Sequence, residues 1–464
     1  MKLYFFGATR SVTGSNYLIE LNKFNSEEKI KILIDCGMFQ GARHVEEKNY
    51  EDFPYNPGEI DYVLLTHAHL DHIGRIPKLY KDGFRGKIFT TFPTKDFARI
   101  MLEDSQEILE EEARQFKKEP LYQKEDVEGS LNLIHGADYG KKINLGEQII
   151  FRFRDAGHIL GSAIIELWLK EKSQEGVIKE RKIIFSGDLG NPPVPLLRPT
   201  EKIEEADYVV VESTYGNKIH EDKEERKDLL ENAIEDTITR GGTLMIPAFA
   251  LERTQELLFE LNELVENNRV PKVPVFIDSP LAIKAIDIYK RYFQYYNKEA
   301  VYLIKSGDDL FKFPGLVFTK TVEESKKINN VNPPKIIIAG SGMSTGGRIL
   351  HHEIRYLPDP HSTILFIGFQ VAGSLGRRIQ DGVKEVRIFN QNIPVRAEAR
   401  TISGYSAHAD REMLRNWLEE IKTPLQHIFV VHGEEEPALA LVQLIRDHLG
   451  IKATAPMFGD VVEL

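Results

Sequence analysis

Six times along this 464-residue chain, a short apolar run stops at a residue able to hold a metal ion. KILI ends at Asp35 and DYVLLT runs into His67, while FRFRDAG, KIIFSG, YVVV and HIFVV are followed by His158, Asp188, Glu212 and His432. Ends of strands along one sheet edge lie close together, so side chains remote in sequence can meet there. The pattern asks for a fold that lines these strands up with their ends on a common edge.

One of the six is much denser than the others. In DYVLLTHAHLDHIGRIPKLY, His67, His69, Asp71 and His72 follow an apolar strand at once, with Gly74 in the turn. Imidazole and carboxylate are both suitable zinc ligands. Four of them within six residues converge only if the backbone curls between strand and helix, with His67 and His69 facing one metal and Asp71 and His72 a second. The histidine-rich set favours zinc over manganese.

The rest of the chain bounds the setting. A 42% hydrophobic content builds ordinary cores, and no apolar run reaches the ~18 residues of a membrane span. The opening MKLYFFGATRSVTGSNYLIEL reads as a strand and turn, without the sustained apolar region of a signal peptide. Cys36 is the single cysteine, which excludes an intramolecular disulfide and makes a reducing, cytoplasmic setting the expectation. A net charge of −11 speaks against an indiscriminate nucleic-acid binder, although local fields rather than net charge attract phosphates.

Candidate strands lie at 31–35, 62–66, 149–153, 182–185, 208–211, 243–246, 274–277, 335–338, 363–367 and 427–431. The acidic, periodic stretch 102–118 predicts a solvated helix, and the charged segment 171–182 a hairpin. From Tyr208 to about Ile393 the rhythm becomes strand–helix–strand, which predicts a second α/β unit with a parallel sheet covered by helices. Within it, IIIAGSGMSTGGRILHHEI reads as strand, glycine-rich loop and helix, a form that lets backbone N–H groups approach an anion. Ser341, Gly342, Ser344, Gly346, Gly347 and Arg348 there, with Ser374, Arg377 and Arg378 after a later glycine turn, are the candidate phosphate- and RNA-binding residues. The spacing matches neither a Walker loop nor GxGxxG, so ATP and NAD are poor fits. His351 and His352 are read as bystanders on the helix.

THAHLDHIG, DAGHILGS and SGDLG resemble the successive metal-binding motifs of the metallo-β-lactamase superfamily. ESTYG, SAHAD and HGE resemble the three further motifs of its β-CASP branch, whose members process nucleic acids. That resemblance implies an α/β fold, an αββα sandwich with an inserted β-CASP domain, and a chain path of 1–207, 208–393 and 394–464. It implies two zinc ions per chain: His67, His69 and His158 on one, Asp71, His72 and His432 on the other, and Asp188 bridging them. Asp35 would support the ligands by hydrogen bonding. His408 would face the scissile phosphate with Glu212 holding its ring, and with Asp71 they would make up the catalytic set. A carboxylate on one ring nitrogen fixes the tautomer and stabilises imidazolium, consistent with proton donation. The implied activity is hydrolysis of RNA phosphodiesters to 5′-phosphate and 3′-hydroxyl ends, in RNA processing or decay. Action on DNA, ester or thioester hydrolysis, and pairing into a homodimer stay open at this point.

Overall fold

The computed structural model describes residues 1–172, 176–220, 223–368, 370–371 and 373–464. The chain forms two compact units: Met1–Pro192, Pro199–Ile219 and His408–Leu464 make the first, Pro193–Arg198 and His220–Ala407 the second.

The first unit is built on two seven-stranded sheets. One runs Val461–Glu463, Lys2–Phe5, Tyr17–Asn22, Lys29–Ile34, Tyr62–Leu64, Lys87–Thr91, Ile134–Ala137 from edge to edge. The other runs Ala453–Thr454, His427–Val430, Tyr208–Val211, Ile178–Phe185, Ala163–Lys172, Ile149–Asp155, Ile143–Asn144. Alternate residues of both sheets, among them Phe5, Ile19, Ile34, Phe151, Ile165, Phe185 and Phe429, form one buried cluster between them. The opposite face of the second sheet, with Ile184, Val209 and Ile428, packs on Leu414, Trp417, Leu441 and Val442. Those four belong to the helices Arg411–Glu419 and Glu435–Leu444. This is helix-on-sheet-on-sheet layering.

Strand direction decides where the ends fall. Lys29–Ile34 and Tyr62–Leu64 are parallel, as are Ile178–Phe185, Tyr208–Val211 and His427–Val430. Ile149–Asp155 is antiparallel to Ala163–Lys172, which is antiparallel to Ile178–Phe185, so it runs with the others. Each of these strands is followed by one of the six residues picked out above.

In the second unit six strands form one sheet in the order Leu316–Phe318, Val275–Asp278, Lys335–Ala339, Thr243–Pro247, Thr363–Phe366, Glu398–Thr401. Every pairing is parallel, as the strand–helix rhythm predicts. Met245, Ile337, Ile364 and Phe366 pack on one face against Ile349, Tyr356 and Ile379 from its helices.

The structure departs from the sequence reading at the edges of this unit. Tyr208–Val211, read as its first strand, lies in the first unit between Ile178–Phe185 and His427–Val430. Glu398–Thr401, beyond the expected limit at 393, is its edge strand. A strand followed by a long helix reads the same whether or not that helix packs on its own sheet. The helix expected at 102–118 begins ten residues earlier, as Phe92–Phe116, with Thr91 Oγ1 accepting from Thr94 N at its start. Phe97, Met101 and Ser105 bury its first half, and the acidic second half carries the solvated character. The hairpin at 171–182 pairs Ile178 with Lys172, and its tip at 173–175 lies outside the described residues.

Gly37 shows how tightly the loops at the strand ends interlock. A Cβ there would lie 1.6 Å from the carbonyl oxygen of Asp71. Gly37→Ala therefore forces the metal-motif turn away from the Lys29–Ile34 strand end. The expected cost is about 3 kcal/mol or more, checked by chemical denaturation.

Candidate metal centre

The THAHLDHIG segment leaves its strand at Leu64, extends through His67, and winds into the short helix Leu70–Ile73. Amides of His72 and Ile73 donate to the carbonyl of His69, at 2.9 and 3.0 Å, so the curl is closed by backbone bonds. That curl puts four ligand-type side chains on one side of the turn.

Two groups result. His67, His69, His158 and Asp188 form the first, and Asp71, His72 and His432 the second; within each, one donor atom per residue lies within 4.8 Å of the others. In the first, His67 Nε2 and His158 Nε2 stand 3.1 and 3.3 Å from His69 Nδ1. In the second, Asp71 Oδ2 is 4.0 Å from His72 Nε2 and 3.7 Å from His432 Nε2. Asp188 reaches both. Its Oδ2 is 3.4 Å from His67 Nε2 and 3.6 Å from His158 Nε2, and its Oδ1 is 3.4 Å from His72 Nε2 and 3.7 Å from His432 Nδ1.

This donor set fits metal ions. Several ring nitrogens facing one point cannot all carry protons toward it, whereas a cation satisfies their lone pairs together. Asp188 Oδ1 is buried and accepts no hydrogen bond from the described residues, a condition that buried polar atoms in native proteins rarely show. Three nitrogens and a carboxylate oxygen make the composition of a zinc site. His67, His69, His158, Asp71, His72 and His432 are the residues that could hold two ions, with Asp188 placed between the groups.

The electrostatics agree with a crowded, charge-hungry centre. Burial and the neighbouring rings hold His67 well below the usual histidine range, and burial takes His432 down to about 4 against the pull of Asp188. Burial also opposes charge on His72, but Asp188 and Asp35 outweigh it and raise that ring. Asp188 itself is kept anionic: burial works against its charge, and His432, His72 and His67 overcome it.

Asp35 acts behind the groups. Its carboxylate accepts from Thr66 N and Thr66 Oγ1, both at 2.8 Å, and sits 2.8 Å from His72 Nδ1, so the other ring nitrogen faces the centre. Ser15 occupies a similar place, with Oγ 3.1 Å from His432 Nδ1 and 3.4 Å from His72 Nε2. The sequence reading missed it, because it precedes a strand rather than ending one.

His408 stands beside the centre. Its Nδ1 is 3.2 Å from both oxygens of Glu212 and 3.9 Å from Asp188 Oδ2. Glu212 is fully buried and fixed by the amides of Leu189 and Thr214, at 2.7 and 3.3 Å. Burial opposes protonation of His408, and Glu212 outweighs it, aided by Asp188 and Asp71, so the ring titrates above its ordinary value.

Three family models match this chain: the metallo-beta-lactamase superfamily over residues 12–84, the Beta-Casp domain over 254–379, and the Zn-dependent metallo-hydrolase RNA specificity domain over 392–456. Ribonuclease TTHA0252 of Thermus thermophilus is 37% identical over 463 residues, covering 100% of both chains. The chain belongs to the β-CASP branch of the metallo-β-lactamase superfamily. An RNase J-like protein of Methanocaldococcus jannaschii is 32% identical, covering 94% of this chain and 95% of that one. Transcription termination factor FttA of the same organism is 31% identical, covering 94% of this chain and 68% of its own length. Of the metal-centre residues, Asp35 and His67–His72 fall in the metallo-β-lactamase match, and His408 and His432 in the RNA specificity domain match.

The β-CASP match contains the glycine-rich loop, and there the candidate phosphate ligands have other partners. Ser341 Oγ accepts from the amides of Thr345 and Gly346, at 2.9 and 3.2 Å, closing the loop on itself. Ser344 is buried and bonds Glu353, and Ser374 caps the helix Leu375–Gln380 by accepting from Arg377 N. Arg377 pairs with Asp381, whereas Arg378 is exposed and no described residue pairs with it. Gly342 packs against the Phe249 ring, Gly347 adopts φ +74° beside Gly340, and Gly346 has open space around it.

Arg348 is the clearest case. It donates to Asp278 Oδ1 at 2.8 Å and to the carbonyls of Thr319 and Lys320. His352, read as a bystander, lies 2.7 Å from Asp278 Oδ2, and Thr319 and Ser325 donate to the same carboxylate. Asp278 was missed because an aspartate closing one strand among many carries no motif. Burial opposes its charge, but His352, Ser325, Thr319 and Arg348 hold its carboxyl well below the usual range. Asp278→Asn should cost about 3 kcal/mol, since it removes the buried charge that a half-buried arginine and a buried ring are bonded to. A depressed carboxylate stabilises above its unfolded pKa and loses that contribution as pH falls through the folded one. Denaturation curves should therefore show the wild-type advantage complete above about pH 4 and shrinking in stronger acid.

Proposed function

We propose that this chain is a metal-dependent ribonuclease hydrolysing RNA phosphodiester bonds to 5′-phosphate and 3′-hydroxyl ends, with two zinc ions in the centre described above. The observation that carries the reading is the division of Asp188 between two ligand groups, with the Glu212–His408 pair beside them. The names of the relatives, a ribonuclease and an RNase J-like protein, support RNA as the substrate class.

Two metal ions held by these residues would supply Lewis-acid chemistry, making a bound water more acidic and offsetting charge on phosphoryl oxygens. The chain's own residues supply the remainder. His408 has Nδ1 committed to Glu212, so the proton that can reach a leaving 3′-oxygen sits on Nε2. Glu212 stabilises the imidazolium before that transfer and keeps the ring from turning away. Asp71, whose carboxyl is pushed upward by burial, is the group placed to take a proton from the attacking water. Arg378 is the one candidate arginine without a described partner, and it can lend charge to the strand's phosphates. Among the described residues no helix is long and apolar enough to cross a membrane.

Cleavage of an end-labelled transcript by the zinc-loaded protein tests the reading, with DNA of the same sequence and a thioester as competing substrates. His69→Ala and Asp188→Ala should abolish cleavage and lower bound zinc in a protein that still folds. His408→Ala should retain its zinc and lose roughly 10²–10⁴-fold in rate. Wild-type turnover by that variant would remove His408 from the mechanism. Products bearing a 3′-phosphate would overturn the direction of cleavage.

A further inference from the structure

Four imidazoles around the centre have an oxygen partner at Nδ1, and the partners differ in kind. Asp35 stands 2.8 Å from His72 Nδ1, Thr66 Oγ1 lies 3.1 Å from His67 Nδ1, and Glu212 lies 3.2 Å from His408 Nδ1. For His432 the group in that place is Ser15 Oγ, at 3.1 Å from Nδ1. Ser15 is wholly buried, so bulk water does not compete for its hydroxyl.

The main chain holds Ser15 independently of its side chain. Its amide donates to the carbonyl of Asp71 at 2.9 Å, and its carbonyl accepts from Gly37 N at 2.8 Å. The same loop grips the His432 segment a second time, with His432 N donating to Ala8 O at 2.7 Å. His432 itself sits at φ 45°, a strained region for a side-chain-bearing residue, so its orientation depends on such outside contacts. The hydroxyl thus lies where three segments meet: the amino-terminal loop, the Asp71–His72 turn and the His432 turn.

We infer that Ser15 is a positioning residue for the second ligand group, its hydroxyl accepting the Nδ1 proton of His432 and so presenting Nε2 to an ion shared with Asp71 and His72. The assignment rests on the metal centre proposed above. Ser15 contacts no reacting atom in this scheme and acts only through His432. The hydroxyl thus sets the tautomer of His432 from a place where Oγ also lies 3.4 Å from His72 Nε2. Loss of such a supporting hydrogen bond typically weakens metal binding by about 10–100-fold.

The test is a zinc titration of metal-free protein against a chromogenic chelator, needing no substrate. Wild type should take up two equivalents. Ser15→Ala should keep the first at wild-type affinity and bind the second about 10–100-fold more weakly. Ser15→Thr, which restores a hydroxyl on the same backbone, should recover most of that loss. In metal-free protein labelled with 15N at histidine, the His432 ring should report a protonated Nδ1 in wild type and a tautomer mixture in Ser15→Ala. Two equivalents at unchanged affinity in Ser15→Ala would overturn the role of Ser15 and leave the centre standing. Loss of both equivalents together would also overturn it, by making the hydroxyl a requirement of the fold. A wild-type chain that took up no second equivalent would overturn the centre and Ser15 with it.

Discussion

A single buried carboxylate, that of Asp188, organises this molecule. Its two oxygens address different sets of imidazoles, and its negative charge survives burial only because those sets surround it. Ions or protons must supply the compensating charge, since an isolated carboxylate in such a place would be prohibitively costly. The architecture is arranged to make that gathering possible. Within each sheet the strands leading to these residues run the same way, the ligand groups at their ends meet, and His67, His72, His408 and His432 each have an oxygen partner at Nδ1.

Much of this was legible in the sequence because metal chemistry restricts residue type and position together. The cluster from His67 to His72 announces itself through density, and His158, Asp188, Glu212 and His432 through their repeated place after an apolar run. The all-parallel second sheet was legible for a related reason, since βα alternation admits few other solutions. Ser15 and Asp278 were not. Serine before a strand and aspartate at the end of another are ordinary, and their importance arises only from what three-dimensional packing brings against them. The strand at Tyr208 went to the wrong unit because sequence records that a strand exists, while its neighbours are chosen by pairing across distant segments.

The glycine-rich loop gives the complementary lesson. Serines, glycines and an arginine after a strand suggest an anion cradle, yet Ser341 turns its hydroxyl onto the loop's own amides and Arg348 turns inward to Asp278. Hydrogen-bonding capacity visible in a sequence is a potential, and folding spends it wherever geometry satisfies the most donors at once. These bonds close the loop on itself and tie Arg348 and His352 to Asp278.

The position of Tyr208–Val211 has a bearing on how the chain is made. All four residues, YVVV, are buried, and one flank is covered only when His427–Val430 pairs with it. The larger segment of the second unit, His220–Ala407, is translated between those two strands. At ~5–20 residues per second, a ribosome leaves that apolar edge bare for some tens of seconds. Throughout that interval the nascent protein carries an adhesive seam. It also lacks His432, so the second ligand group stays incomplete until that seam is closed.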